Sequence, residues 1–227
     1  MKPNSSVSVV IPAAGNSSRM GSSGNKQFLS LSGIPVLAHT LFAFTDIPAV
    51  KEIIIVTRKE DIPHVESIIK EYEIPKIKTI ISGGSTRQES VFLGLQKVDC
   101  EKVLIHDGAR PFVTKEEVCQ VIDALETCPA AALGVPVKDT VKRITDQGIV
   151  AETLPREELV QIQTPQGFIS KEILAAHEKA AKDNVDVTDD CALAEYISIP
   201  VLIVPGSYRN IKITTPEDIL LAQALQS

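Results

Sequence analysis

Tryptophan is absent from the 227 residues, and aromatic side chains make up only 4% of them. A core must then be built from Val, Ile, Leu and Ala, which suits buried parallel strands, and the 44% hydrophobic content is enough for one. Cysteine is scarce. Cys100, Cys119, Cys128 and Cys191 form no C-x-x-C pair and have no His at metal-ligand spacing, so no metal site is expected and reduced thiols in a cytosolic protein are. No apolar run approaches membrane-spanning length, and residues 1–6 are too short for a signal peptide. A cytoplasmic location follows as the expectation, with a processed plastid form as the alternative. Positive charge is in deficit: the formal net charge is −6, which disfavours nucleic acid and anionic membranes as partners. An anionic ligand must therefore be met by a local cluster of cations. No linker or low-complexity tract divides the chain, so one domain over 1–227 is expected.

What is present is concentrated first at Val7 to Phe28. Val7 to Ile11 has the length and β-branching of a buried strand, and about a dozen residues rich in Gly, Ser, Asn and Ala follow it. Arg19 and Lys26 are their only charges. Small residues let a backbone approach a ligand closely and free N–H groups to point at an anion. Two cations with no acid between them suggest a polyphosphate; the plain alternative is a solvated surface loop. The P-loop pattern fails because Lys26 lies between Asn25 and Gln27, and the dinucleotide pattern fails because Asn16 and Ser17 follow Gly15.

The rest alternates. Strands are expected at Glu52 to Thr57, Ile77 to Ile81, Lys102 to His106, Ala130 to Val135 and Val201 to Val204. Helices are expected after Pro35, around Val65 to Tyr72, after a Ser85/Gln88 capping box, after a Thr114/Glu117 capping box, near 170–182 and 188–197, and after Thr215-Pro216. Residues 138–156 read as a hairpin turning at Asp146-Gln147-Gly148. Alternation implies an α/β fold with a mainly parallel sheet and helices on both faces. Ligands of such sheets bind beyond the carboxyl ends of the strands. Gly15 to Lys26, Gly83-Gly84 and Asp107-Gly108 each follow a strand and converge there.

No Ser/His/Asp set, Cys/His pair or close carboxylate pair stands out in these loops. His39, His64 and His177 fall in helical patterns and His106 ends a strand. The cations Arg19, Lys26, Arg110, Arg156 and Lys212 lie in or near loops instead. That profile fits phosphoryl or nucleotidyl transfer, where the protein mainly positions groups and offsets charge. Asp107 is placed to bind a ribose hydroxyl, to help hold Mg²⁺, or simply to cap a turn; Asp189-Asp190 reads as an acid pair at a helix N-terminus.

Seven segments, taken together and in order, resemble the 2-C-methyl-D-erythritol 4-phosphate cytidylyltransferase family. They are Pro12 to Gly21, Asn25 to Phe28, Gly83 to Val91, His106 to Phe112, Pro136 to Arg143, Gln163 to Phe168 and Asn210 to Asp218. The resemblance implies a single-domain, Rossmann-like nucleotidyltransferase fold with a twisted sheet and a protruding β-hairpin arm, and an enzyme joining CTP and methylerythritol phosphate with release of pyrophosphate. It further implies that Arg19 and Lys26 act on the triphosphate, and that Pro12, Ala13, Ala14, Gly15 and Asn16, with Gly84, Ser85 and Ser90, surround the cytosine and ribose. Asp107 and Gly108 continue that pocket. Asp139, Thr140, Arg156 and Lys212 hold the methylerythritol phosphate, Mg²⁺ is carried mainly by the CTP phosphates, and the 138–156 arm makes a homodimer. Ser17, Ser85 and Pro155 depart from the family's usual pattern. A ribitol-phosphate cytidylyltransferase is the nearest alternative, and a non-catalytic nucleotide-binding module is the alternative from another class.

Overall fold

Successive side chains of a strand point to opposite faces, and both faces of the first strand, β1 (Val7–Pro12), are apolar and buried. The computed structural model describes residues 6–15 and 26–226. After β1, a 3-10 turn at Lys26–Phe28 leads to a small hairpin of β2 (Ser30–Leu31) and β3 (Ile34–Pro35), whose turn puts Ser32 and Gly33 at positive φ. The chain continues through α1 (Val36–Thr45), β4 (Val50–Thr57), α2 (Ile62–Glu71), β5 (Ile77–Ser82), α3 (Arg87–Leu95) and β6 (Lys102–Ile105). Then come α4 (Lys115–Ala124), β7 (Ala130–Pro136), the hairpin β8 (Lys142–Ile144) with β9 (Val150–Thr153), and β10 (Val160–Ile169). The last elements are α5 (Ser170–Asp183), α6 (Asp190–Tyr196), β11 (Val201–Pro205) and α7 (Pro216–Gln226).

One seven-stranded sheet runs in the order β11-β7-β10-β6-β1-β4-β5. β1 pairs in parallel with β4 on one side and β6 on the other, so Val9 lies opposite both Ile53 and Leu104. The chain moves outward from β1 to β4 and β5, then returns to β6 across β1. That reversal opens a crevice at the carboxyl ends of β1 and β6, the usual ligand site of such sheets.

Two apolar layers hold the sheet. Val9, Ile11, Ile53, Ile55 and Leu104 pack under α1, α2 and α4, while Val10, Ile54, Val56, Val103 and Ile105 pack under α3, α5 and α6. A smaller cluster of Leu31, Val36, Ala109, Ile213 and Ala222 seats α7 beside the β2–β3 hairpin.

The mainly parallel α/β architecture and the β8–β9 hairpin match the sequence expectation. Three local readings do not. First, β10 went unrecognised, and it is antiparallel to both β6 and β7. Its Gln163, Thr164 and Gln166 are buried, so polar residues occupy positions where a core strand normally shows Val or Ile. They are tolerated because each has a partner: Gln163 Nε2 donates to Ser207 O at 2.8 Å and Gln166 Nε2 to Asp189 Oδ2 at 2.9 Å. Second, α3 is capped by Thr86, not Ser85; Thr86 Oγ1 accepts from Glu89 N at 3.0 Å, and it is Glu89, not Gln88, whose carboxylate reaches back, to Ser85 N at 2.7 Å. The box has moved on by one residue. Third, the strand before Asp107 ends at Ile105, one residue short of His106. The Thr114/Glu117 capping box is as expected. Among the described residues no helix is long and apolar enough to cross a membrane.

α3 approaches the sheet closely at Gly94, where a Cβ would lie 2.6 Å from Val10 Cγ1 and 3.0 Å from Val56 Cγ2. Gly94→Ala gains roughly 1 kcal/mol of helix propensity but overpacks this layer at about 1–3 kcal/mol. Net destabilisation of about 1 kcal/mol in urea unfolding is expected; a stabilised variant would show that the helix can move away freely.

Candidate active site

Three loops leave the sheet side by side, and backbone bonds continue the ladder past the strands. Ala13 N donates to Val56 O at 2.7 Å, Gly83 N to Thr57 O at 2.7 Å, His106 N to Val10 O at 3.0 Å and Gly108 N to Pro12 O at 3.2 Å. A Cβ at Gly108 would crowd the first loop, 3.2 Å from Ala13 Cβ and 3.3 Å from Pro12 O, closer than ordinary van der Waals contact. Between these loops lies a cleft of about 390 Å³. Its walls include Pro12, Ala14 and Gly15 from the first loop, Gly84 to Arg87 and Ser90 from the second, and Asp107 to Ala109 from the third. Lys26, Gln27, Arg58 and Lys212 complete it.

Most of the residues expected to bind a nucleotide are therefore together. Ala13 instead turns into the core and supports the floor from below. Ser90 is buried at the cleft wall; its Oγ donates to Thr86 O at 2.8 Å and accepts from Gly84 N at 3.1 Å, fixing the Gly-Gly turn. Ser85 donates through both N and Oγ to Glu89 Oε2, at 2.7 and 2.8 Å, so an acid one turn later reaches position 85. Arg19 and Asn16 lie outside the described residues.

The residues expected at the acceptor divide. Lys212 lines the same cleft as Gly84 and Asp107. Asp139, Thr140 and Arg156 do not line it; all three are exposed at the base of the arm, where Arg156 Nη1 donates to Lys138 O at 2.8 Å. Tyr208 anchors that base: its hydroxyl donates to Pro136 O at 2.7 Å, and the Lys138 ammonium sits 3.5 Å from its ring centroid.

Asp107 is the cleft's electrostatic centre. Its carboxylate meets Lys212 Nζ at 2.9 Å, Arg87 Nε at 3.4 Å and Arg110 Nε at 3.4 Å. Burial alone would raise its pKa, but Arg87, Lys212 and Arg110 outweigh burial and hold it far below the usual carboxylate range. Arg110 is in turn tied to Asn210 O at 2.7 Å, which fixes the segment carrying Lys212.

Beneath Asp107, His106 is fully buried. Its Nε2 faces Arg110 O at 3.1 Å and its Nδ1 faces Thr164 Oγ1 at 3.0 Å, while Thr164 Oγ1 accepts from Asp107 N at 3.1 Å. A carbonyl only accepts, so Nε2 carries the proton and Nδ1 accepts from Thr164. Burial lowers the His106 pKa from 6.5 to about 4, so the ring is neutral at physiological pH.

Sequence reasoning missed Arg87, Arg58, Thr164 and Asp190. Arg87 carried a signal, a cation directly after Gly-Gly-Ser-Thr, that was read only as part of a helix start. Asp190 carried none: it is an N-terminal acid of α6 as expected, yet it also pairs with Arg87, 103 residues away.

Comparison with known proteins agrees over nearly the whole length. The family model described as IspD: 2-C-methyl-D-erythritol 4-phosphate cytidylyltransferase matches residues 7–227. A curated protein of that name from Halalkalibacterium halodurans is 47% identical over 219 residues, covering 96% of each chain. One from Desulforamulus reducens is 49% identical over 218 residues, covering 95% of this chain and 93% of its own. The crystal structure of 4-diphosphocytidyl-2C-methyl-D-erythritol synthase from Anaerococcus prevotii superposes with a TM-score of 0.88 at 39% identity, over 98% and 99% of the two chains.

The buried neutral His106 gives a pH prediction. In the unfolded chain this ring takes up a proton near pH 6.5, but in the folded chain only near pH 4. Its stabilising contribution is thus whole above pH 6.5 and is lost as pH falls towards 4, by up to about 3 kcal/mol. Urea unfolding between pH 7 and 4 should show a shallower slope for His106→Gln than for wild type; equal slopes would mean that the imidazole charges in place.

Proposed function

The chain belongs to the 2-C-methyl-D-erythritol 4-phosphate cytidylyltransferase family and transfers a cytidylyl group from CTP to methylerythritol phosphate, and we propose how its residues divide that work. The observation that carries the proposal is the single cleft beyond β1 and β6. Lys26, Arg58, Arg87 and Lys212 line it with a single carboxylate among its described residues, Asp107, which Arg87 and Lys212 meet directly, in a protein whose overall charge is negative.

CTP lies with its base and ribose against Pro12, Ala14, Gly15, Asn16, Gly84, Ser85, Ser90, Asp107 and Gly108, over a floor that Ala13 supports from the core, and with its triphosphate towards Arg19 and Lys26. An oxygen of the methylerythritol phosphate attacks the α-phosphorus. The bond from that phosphorus to the bridging oxygen breaks, and the electron pair leaves with pyrophosphate. Arg19 and Lys26 offset the charge that builds on the α-phosphoryl and departing oxygens. The second pKa of a phosphate monoester is about 6, so the nucleophile is already ionised at neutral pH and no general base is required. This agrees with a cleft where His106 is buried and bonded on both ring nitrogens.

Magnesium is implied by the chemistry, but the described residues do not form a protein-built site for it. No group of three candidate ligands occurs among them, and Asp107, the one carboxylate among the described cleft residues, is engaged by three cations. In our reading the ion is held by the triphosphate oxygens and Asp107 stays with its cations.

Asp139, Thr140 and Arg156 serve the acceptor of a second subunit, which makes the protein a homodimer; a cytoplasmic location accords with this soluble chemistry. Both strands of the arm are exposed throughout and pair only with each other, with Ile144, Ile149 and Val150 each more than half exposed. An isolated two-stranded hairpin is barely stable in water, so this one calls for a surface to pack on.

Two outcomes check the division of labour. Lys26→Ala should cut turnover by roughly 10²–10³, as for loss of one charge-stabilising donor; a near-normal rate in a pyrophosphate-release assay would make Lys26 a bystander. If the arm acts across subunits, weakly active Arg156→Ala and Lys212→Ala proteins should complement when dissociated and reassociated together, restoring about a quarter of wild-type activity, because each mixed dimer holds one intact site. No recovery would place Arg156 at its own subunit's cleft. In the same assay, release with ribitol phosphate but not with methylerythritol phosphate would reverse the assigned acceptor.

A further inference from the structure

The ion pairs of the cleft continue inward to a carboxylate that does not itself line the cleft. Asp190, the first residue of α6, is 1% exposed. Its Oδ2 takes Arg87 Nη1 at 2.8 Å, its Oδ1 faces His177 Nε2 at 3.1 Å, and its backbone N–H donates to Gln166 Oε1 at 3.1 Å. Gln166 also holds Asp189 through Nε2, so the start of α6 is fastened to β10. His177 is buried and stacked on Phe92, with ring centroids 6.0 Å apart and planes 10° apart. Asp190 is thus held at both carboxylate oxygens and at its backbone N–H.

Arg87 is thus shared between two acids. One edge of its guanidinium goes to Asp190 in the core, and Nε goes to Asp107 Oδ1 at the cleft. Asp107 uses its other oxygen, Oδ2, for Lys212 and Arg110. The connected chain runs from the buried His177 through Asp190, Arg87 and Asp107 to the Lys212 ammonium, which is 36% exposed in the cleft. Arg87, Arg110 and Lys212 outnumber Asp107 and Asp190 by three charges to two, so one positive charge is left over. The most exposed member of the chain, Lys212, is where that surplus meets a ligand.

We propose that Asp190 is a positioning residue: by holding Arg87 it confines that residue to Asp107 Oδ1, and so leaves Oδ2, which Arg110 also meets, to fix where Lys212 presents its ammonium. Without the charge at 190, Arg87 turns wholly to Asp107, competes with Lys212 for it and leaves Lys212 misplaced. Arginine is required between the two acids because its planar fork spans both; the single ammonium of a lysine serves one. This inference rests on the reading that Lys212 binds the phosphate of methylerythritol phosphate.

The test uses the full-length protein and steady-state pyrophosphate release, with each substrate varied at saturating levels of the other. Lys212→Ala, Asp190→Asn, Arg87→Lys and the Asp190→Asn/Lys212→Ala pair are compared, with folding checked by circular dichroism. Asp190→Asn and Arg87→Lys should each raise KM for methylerythritol phosphate about tenfold and leave KM for CTP within about threefold, the signature of a misplaced charged contact to one substrate. Asp190→Asn should add nothing in the Lys212→Ala background. Should Asp190→Asn fail to fold, Arg87→Lys, which keeps the charge, decides the matter. If Lys212→Ala raises the acceptor KM but Asp190→Asn or the folded Arg87→Lys does not, or if the two effects add, the positioning role is overturned. If Lys212→Ala itself leaves that KM unchanged, the reading of Lys212 falls and takes the proposal with it.

Discussion

A carboxylate at 7% exposure cannot stand alone, and Asp107 makes the rest of the cleft answer to that constraint. The three cations that meet it come from separate parts of the chain: Arg87 from the first turn of α3, Arg110 from the loop after β6, and Lys212 from the segment before α7. Its backbone N–H is taken by Thr164 of β10. Four stretches far apart in sequence are thereby fixed around the crevice that the sheet topology opens. Hydrophobic burial builds the sheet; this charge cluster decides where its functional side chains point.

The same cluster reconciles an acidic protein with anionic substrates. A net charge of −6 offers no long-range attraction for a triphosphate, so attraction must be local. Locally the signs invert: Lys26, Arg58, Arg87 and Lys212 line the cleft, and Asp107 is the one acid among its described lining residues. Cations held this close repel one another, and each added phosphate relieves part of that repulsion. Asp107 is thus better suited to holding cations in register than to acting as a base, and the neutral His106 below it is committed to the hydrogen bonds that keep it there.

The parts of the fold written in apolar runs were legible in the sequence. β1, β4, β6 and β7 are largely buried on both faces, so each carries a run of Val, Ile, Leu or Ala, such as Val9 to Ile11, Ile53 to Val56, Val103 to Ile105 and Ala130 to Leu133. The three ligand loops were legible because each follows such a run, and the arm because Gly148 supplies the positive φ of its turn. β10 was not, since Gln163, Thr164, Pro165 and Gln166 look like a loop until their tertiary partners are known. The Arg87–Asp190 pair was equally hidden: nothing in local spacing links residues whose contact depends on how α3 and α6 settle on the sheet. Even the cap of α3 moved by one residue, because Ser85-Thr86 offers two adequate hydroxyls and only Glu89 selects between them.

On this reading Asp107 organises the cations of the cleft and is not spent on a metal. The most direct measurement is a crystal structure with CTP and magnesium bound. Asp107 should still hold Arg87, Arg110 and Lys212 in it, with the magnesium coordinated by triphosphate oxygens and water. An Asp107 oxygen found as a magnesium ligand, with Arg87 and Lys212 released from it, would contradict the account.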